Sequence, residues 1–488
     1  MIFGLVYSSF SAPRWPSSYT LKGTWKVPYT NLSNHLVVVQ EPTRQYINEH
    51  NGLLQIWNTG PEQHFHRKIV VADNDTICFG WDDDQPWTID FTEFLPDLSE
   101  YKLQPGTYTY NGHLCNMWSK VVPGPKTQTW EMYIEVGTGK PIAYKAHAIS
   151  IYHSHYDVYI LEIDEFAPEA AVGVWSIPSM CDHPKQNDPY PGSMYDLFFP
   201  KKNVNTYSKQ VKSTKSYKTT TQNRFSHMTP SDWLKSIKRS SNAKPWYDDE
   251  DPLWDQCTEF KGSKDFVPPV NFSWRDQPNI VTPPRDQVAC GSCWAFGTAG
   301  LLESAFAIKT GKLRPVSTNQ IMDCTWDARN YGCQGGEIGP SLTSYMNKSM
   351  KVATEKSYPY MGVSGLCNSE PEEYLGRVKS CFHVEKKRNA VKEALYKFGP
   401  LGISINVIED MALYTSGVFD EEACTGADDD LVHIVQLTGW KVIDGKEAWE
   451  VKNSWSTNWG DEGYIYIQSE VQEKNCGVTT RAVGVIVE

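Results

Sequence analysis

Residues 286–296 read DQVACGSCWAF, two cysteines three apart with a tryptophan and a helical pattern directly behind them. Such a pair belongs to a redox centre, a zinc knuckle, a disulfide framework or a nucleophile beside a structural neighbour, and each choice demands a different fold. A redox pair wants a short strand before it, and VTPPRDQVA makes a poor one. Zinc wants a second matched pair, and GCQGG supplies Cys333 alone. A nucleophile has other needs. A thiol of ordinary pKa, about 8.5, is mostly protonated at neutral pH, so a helix start and an imidazolium must favour its anion. SCWAFGTAGLLESAFAIKTG carries apolar residues at helical spacing and ends in a glycine stop. Cys293 stands where that pattern begins, so the helix dipole points at its sulfur.

The imidazole must come from elsewhere. Beyond residue 266 the histidines are His383 and His433. His383 lies in the charged CFHVEKKRNAVK and reads as a surface residue. His433 lies in LVHIVQLTGW, an apolar run that reads as a buried strand. A histidine on a core strand is usually only a satisfied polar group. KNSWSTNWG alters that balance, because Asn453 and Trp455 follow on an expected neighbouring strand. The asparagine can accept a ring N–H of His433 and fix its orientation, while the indole shields that bond from water.

Taken in order, Gln287, CGSCW at 290–294, the DC of Cys324, GCQGG, His433 and KNSW resemble the papain-like cysteine peptidases. His433 and Asn453 stand 140 and 160 positions beyond Cys293, the second slightly past the roughly 130–150 usual for such sets. The resemblance implies that Cys293 is the nucleophile, His433 the general base and acid, and Asn453 the residue that orients the ring. Gln287 would supply an oxyanion donor together with the Cys293 backbone N–H. It further implies disulfides Cys290–Cys333, Cys324–Cys367 and Cys424–Cys476. Cys381 has no counterpart, Cys181 and Cys257 are unplaced, and Cys78 and Cys115 are candidates to pair. With Cys293 set aside, eleven cysteines remain, so one more thiol stays unbridged.

The substrate-binding set carried over is Gly335, Gly336, Glu337, Ile338, Ile434 and Trp455. The glycines would let a substrate strand approach, unless they only make a turn. Apolar Ile338 and Ile434 imply an apolar or aromatic side chain at the substrate's second position. Glu337 at the rim adds a taste for basic residues one step out. Val432 and Ile434 depart from the common Asn/Asp-His-Ala, and Ser456 replaces a frequent glycine, which leaves pocket shape rather than chemistry in question. No cofactor is implied. No metal is assigned either, since the His-x-His pairs at 64–66 and 153–155 lack a third ligand. That serine, CTWDARNYGCQGG and HSHYDVYILEIDEF resemble a subgroup with a long β-rich N-terminal extension, known from insect haemocyte proteinases.

The expected fold class is α+β, a two-lobed papain-like domain with a helical lobe and a β-barrel-like lobe over 265–488. An all-β sandwich or barrel over 14–180 precedes it. Residues 1–13, MIFGLVYSSFSAP, read as a weak or truncated signal segment. Residues 181–264 read as a basic linker or prosegment with a short helix near PSDWLKSI. Within it, 201–244 hold eleven Lys/Arg and one acid, against −12 for the whole chain. QNRFSHMTPSDW (222–233) resembles the tail of an inhibitory prosegment, so the chain's own N-terminal region is an expected inhibitor. If the basic strap is held by charge, acid should loosen it. The overall acidity argues against nucleic acid, and no run of 18 apolar residues offers a membrane span. Twelve cysteines and the sequons at Asn31, Asn74, Asn271 and Asn347 point to the secretory pathway, in a lysosome-like vesicle or outside the cell. The expected activity is endopeptidase action on proteins or peptides from a zymogen. The alternatives are a dipeptidyl exopeptidase, with the β domain closing the cleft, and a silent papain-fold scaffold.

Overall fold

The computed structural model describes residues 12–28, 32–59, 65–71, 76–82, 93–122, 128–149, 156–183, 216–219, 256–288, 290–328, 330–367, 371–471 and 474–488. Residues 1–11, the sequons at Asn31 and Asn74, 222–233, the PSDWLKSI helix and the histidine side chains of 64–66 and 153–155 lie outside them. Most of the basic 201–244 stretch does too. Two compact units result, one drawn from residues 1–184 and one mainly from 185–488.

The first unit is all β among its described strands. These are β1 (Tyr19–Val27), β2 (Leu32–Glu41), β3 (Arg44–Glu49), β4 (Leu54–Thr59), β5 (Phe65–Val71) and β6 (Thr76–Asp82). They continue with β7 (Lys102–Leu103), β8 (Tyr108–Tyr110), β9 (His113–Val122), β10 (Gln128–Glu135), β11 (Pro141–Ile149) and β12 (Tyr156–Ala167). The order is β6-β5-β4-β3-β2-β1-β12-β11-β10-β9-β7, with β8 on β9. Strands adjacent in sequence are mostly adjacent in the sheet, and β1 joins the two halves by pairing Trp25 with Asn34 on one side and Leu161 on the other. In β1, Tyr19, Leu21, Gly23, Trp25 and Val27 are buried while the residues between them reach solvent. That is the period of two of a sheet with one face on a core. Trp130, Met132 and Ile134 repeat the pattern in β10.

One cysteine expectation fails here. Cys78 is bonded to Cys181, not to Cys115. Cys115 is buried on β9 with its thiol toward the His113 carbonyl at 3.6 Å, and burial pushes its pKa up. Spacing carries no information on which sulfurs meet, because pairing needs Cα atoms within about 7 Å and converging Cβ vectors.

The second unit opens with short strands β13 (Tyr217–Thr219), β14 (Thr258–Phe260) and β15 (Phe272–Ser273). Helices α1 (Cys293–Thr310), α2 (Thr318–Cys324) and α3 (Ile338–Asn347) follow, then β16 (Lys351–Ala353), β17 (Tyr374–Val384) and α4 (Arg388–Phe398). The chain ends through β18 (Leu401–Asn406), α5 (Glu409–Ala412), β19 (Tyr414–Phe419), β20 (Leu431–Ile443), β21 (Lys446–Lys452), β22 (Tyr464–Gln468) and β23 (Ala482–Val487). The sheet order is β13-β19-β22-β21-β20-β18-β23-β17-β14, with β15 on β20 and β16 on β17. Two of its strands thus come from the 181–264 stretch.

Helix α1 is buried on nearly all sides from Cys293 to Ser304, which marks a core helix rather than an amphipathic surface one. It ends where Gly311 takes the left-handed conformation at φ 70°. Cys290–Cys333 and Cys324–Cys367 staple the loops around it, Cys424–Cys476 links two strand connections, and Cys257–Cys381 fastens the residue before β14 to β17. Cys381, Phe382 and Val384 beside His383 in β17 are all buried, so this histidine is half-buried and not the surface residue its charged neighbours suggested.

Candidate active site

Cys293 is the first residue of α1 and 4 % exposed, and it takes part in none of the five disulfides. Its place follows from the proline-rich approach, which cannot continue a helix, and from Ser292, whose φ of −98° begins the turn. The cysteine thus stands at the positive end of the α1 dipole, where a thiolate is favoured.

Two packing contacts tell where that sulfur lies against the sheet. A side chain on Gly297 would strike Ile434, and Gln436 donates its amide to the Gly300 carbonyl at 2.7 Å and to Ser304 Oγ at 3.0 Å. Helix and strand therefore advance in the same direction. Traced back one residue from Ile434 and about one turn from Gly297, the His433 end of β20 faces the Cys293 end of α1.

The proton state of His433 follows from its partner. Asn453 Oδ1 accepts the Ser454 backbone N–H at 2.8 Å, and only an oxygen can do so. The same Oδ1 lies 2.8 Å from His433 Nε2, which must therefore carry a proton. Nδ1 is then the nitrogen left to exchange a proton with a thiol. Trp455 stacks on the ring at 4.8 Å and 25°, and His433 is fully buried. The indole keeps water from the His433–Asn453 bond.

Gln287 is fixed by the same logic. Its Nε2 donates to the Cys290 carbonyl at 3.0 Å, and its Oε1 accepts the Ser454 hydroxyl at 2.7 Å. Backbone pairing holds the two segments together, with Gln287 N–H to the Ser454 carbonyl at 3.0 Å and Ser456 N–H to the Arg285 carbonyl at 3.0 Å. One N–H of the Gln287 amide is engaged by Cys290, which leaves the geminal N–H as the candidate for the expected oxyanion donor. The sequence reading missed Ser454, which touches both Asn453 and Gln287. Its presence inside KNSW was the signal.

The remaining residues of the substrate set divide. Gly335 has φ 113°, so a turn requires it. A side chain on Gly336 would meet Trp294 and the Asn330 Oδ1, so packing alone already demands glycine there. Ile338 lines a narrow cleft with Glu337, Gly339, His383, Ser404, Arg481 and Val483. Ile434 is 3 % exposed and, like Ile338, packs toward Gly297. A second cavity, about 330 Å³, is lined by His383, Lys386, Asp428 and Arg481, shares His383 and Arg481 with the first, and includes none of Gln287, Cys293, His433 and Asn453. Among the described residues no cluster of His, Cys, Asp and Glu could hold a metal.

Residues 268–486 match the family model described as papain family cysteine protease. Mouse pro-cathepsin H is 35% identical over 216 residues, which are 44% of this chain and 64% of that protein. Cysteine proteinase 2 of Zea mays is 36% identical over 215 residues, 44% of this chain and 59% of that one. The chain thus spans less than two thirds of the length of these relatives. The solved digestive procathepsin L2 proteinase of the Tenebrio molitor larval midgut superposes with a TM-score of 0.50 at 26% identity, covering 56% of this chain and 84% of that one.

Proposed function

From the premise that residues 268–486 of this chain are a papain-family cysteine protease domain, we propose that the protein cleaves peptide bonds through an acyl-enzyme on Cys293. His433 Nδ1 takes the thiol proton, the thiolate adds to the substrate carbonyl, and the oxyanion is met by the Gln287 amide and the Cys293 backbone N–H. The imidazolium then protonates the departing amine, and water, deprotonated by the same ring, releases the acid. Loss of one oxyanion donor typically costs about 3–4 kcal/mol of transition-state stabilisation. The observation that carries this reading is the Asn453 oxygen that serves both Ser454 N–H and His433 Nε2, because it fixes which ring nitrogen can act.

An epoxide thiol inhibitor should label the protein once and leave Cys293→Ala unlabelled and inactive on peptides. Cys115, buried with a raised pKa, should not react. Label or hydrolysis persisting in the Cys293→Ala protein would refute the assignment.

We further propose endopeptidase action with an apolar or aromatic side chain at the second substrate position, against Ile338. An internally quenched peptide with a blocked N-terminus should be cut. The zymogen reading gains support from β13, which pairs with β19 and seats the Tyr217 ring on Phe419 at 4.7 Å. Tyr217 also donates its hydroxyl to Glu421. This upstream segment is thereby a candidate for the expected inhibitor within the chain. Five disulfides and the exposed sequon asparagines Asn271 and Asn347 suit an oxidising compartment of the secretory pathway.

A further inference from the structure

We propose that the face of the second unit built from the end of α1, from β16 and from the first half of β17 binds sulfated polysaccharide chains. The choice of anion rests on the oxidising-compartment reading, and the face itself is independent of the peptidase one.

Uncompensated cations mark this face. Beyond residue 268, surface cations are mostly spent on carboxylates: Arg275 on Glu462 at 2.5 Å, Lys386 on Asp428 at 2.9 Å, Lys446 on Asp420 at 2.9 Å and Lys474 on Glu422 at 2.8 Å. Among the described residues, Lys309, Lys312, Lys351, Lys356, Arg377 and Lys379 form no ion pair. All but the half-buried Lys351 are exposed. In a chain of net charge −12, leftover cations should be scattered. These lie together.

Packing gathers them from three stretches of sequence. β16 runs antiparallel to β17 and sets Lys351 directly opposite Arg377. Lys309 Nζ donates to the Val487 carbonyl at 2.8 Å, and Val487 is the β23 partner of Val378, the residue after Arg377. Lys379 stands at the irregular step of that pairing, between Val378 and Ser380. Glu355 N–H donates to the Pro315 carbonyl at 2.9 Å and Val316 bridges Thr354, which brings the stretch after Lys312 alongside Lys356. The described acids among these cations are Glu372, Glu373 and Glu488, and Glu373 is already taken by Arg314.

Like charges facing each other across a strand pair destabilise it. Lys351 rests its ammonium 4.0 Å over the Tyr374 ring, and Arg377 donates Nε to the Ser349 carbonyl at 3.0 Å. Neither contact neutralises a charge. A polyanion laid across both does so, and it releases its condensed counterions in the same step, which is the main source of affinity in such pairings.

The surroundings select among polyanions. A single-stranded nucleic acid wants open aromatic faces on which to stack bases, and the exposed ring of this face, Tyr374, already carries the Lys351 ammonium. Acidic phospholipid is concentrated on the cytoplasmic leaflet, the wrong side for a chain with five disulfides. Sulfated polysaccharide fits both the charge and the compartment, and its sulfate esters stay ionised in acid.

Full-length Cys293→Ala protein is mixed with a heparin dodecasaccharide, and acetylation of each lysine by an N-hydroxysuccinimide ester is followed by mass spectrometry. Reading single residues separates this face from the basic 201–244 stretch, whose lysines also attract heparin. Lys312, Lys351 and Lys379 should react about tenfold more slowly with heparin present, while Lys446 and Lys474 change by less than about twofold. Lys351→Glu/Arg377→Glu/Lys379→Glu should lose the protection at Lys312 and bind at least about tenfold more weakly at fixed salt. The neutral set Lys351→Gln/Arg377→Gln/Lys379→Gln should fall between, and it gives the reading if the reversed set does not fold. Protection confined to 201–244 would overturn the proposal. So would unchanged affinity in the substituted proteins, or equal affinity for DNA or for phosphatidylserine vesicles.

Discussion

The two units solve the same problem of burying a large interior by different means. In the first, apolar side chains alternate along long strands, and one described disulfide, Cys78–Cys181, closes the fold. In the second, a helix buried on all sides brings polar groups inward, and four disulfides pin the loops that feed them. Glu450, fully buried, is met by Thr438 Oγ1 at 2.9 Å, Lys441 at 2.9 Å and the Ser273 hydroxyl. Glu303 collects Arg285 at 2.8 Å, Thr282 at 2.5 Å and Val316 N–H at 3.0 Å. A buried carboxylate is tolerated only when satisfied in this way, and satisfied networks specify a single arrangement. The first unit is a core that packs; the second is a core that also positions.

That contrast can be broken most severely at Trp25. It is fully buried in β1, so Trp25→Ala should lower the unfolding free energy of the first unit by about 3–5 kcal/mol, read by denaturant titration of tryptophan fluorescence. A loss under about 1 kcal/mol would mean that the strand is not part of a close-packed interior.

Acid should sharpen the difference next. Burial, with a smaller contribution from His35, depresses His50 to about 4. The unfolded chain takes up this proton near 6.5 and the folded one does not until about 4, so stability is full above 6.5 and declines as pH falls toward 4. The decline approaches about 3 kcal/mol from this group. His50→Asn, a residue that accepts the φ of 52° found here, should flatten the dependence over that window. An unchanged slope would assign acid sensitivity elsewhere.

In the second unit the sign lies in the alkaline range. Burial holds Lys452 down at about 8, opposed by the nearby Glu303 carboxylate. Its charge is a burden in the folded state below 8, relieved as pH rises from 8 to about 10.5. Lys452→Met should raise stability by about 2 kcal/mol at pH 7, after the loss of its 2.8 Å bond to Thr282 is counted, and by little above pH 10. Thermal melts at the two pH values would show it.

The smallest effect belongs to Ser454. Removing one hydroxyl that accepts no catalytic charge should cost about 1 kcal/mol, or up to about tenfold in kcat with KM nearly constant. Ser454→Ala with a raised KM and unchanged kcat would place its role in substrate binding instead.

How far the chain could be read before folding differs between these regions. The start of α1 at Cys293, the burial of β20 around His433 and the strand before Asn453 were all visible, because each is a local pattern with its own period or stop signal. The all-β nature of the first unit was visible for the same reason. What escaped depends on residues distant in sequence. Cys78 meets Cys181 and Cys257 meets Cys381 only because the strands between them are laid out as they are. The bond from Ser454 to Gln287 needs the 285–287 segment to run antiparallel to 454–456, and no periodicity announces that pairing.

The amide of Asn453 and the amide of Gln287 are joined through the single residue Ser454, whose N–H serves one and whose hydroxyl serves the other. Neither can swivel without tugging its neighbour. Anything that draws on the free hydrogen of the glutamine is thus felt by the imidazole two links away. A bound carbonyl should change the orientation of the ring before any bond to sulfur has formed.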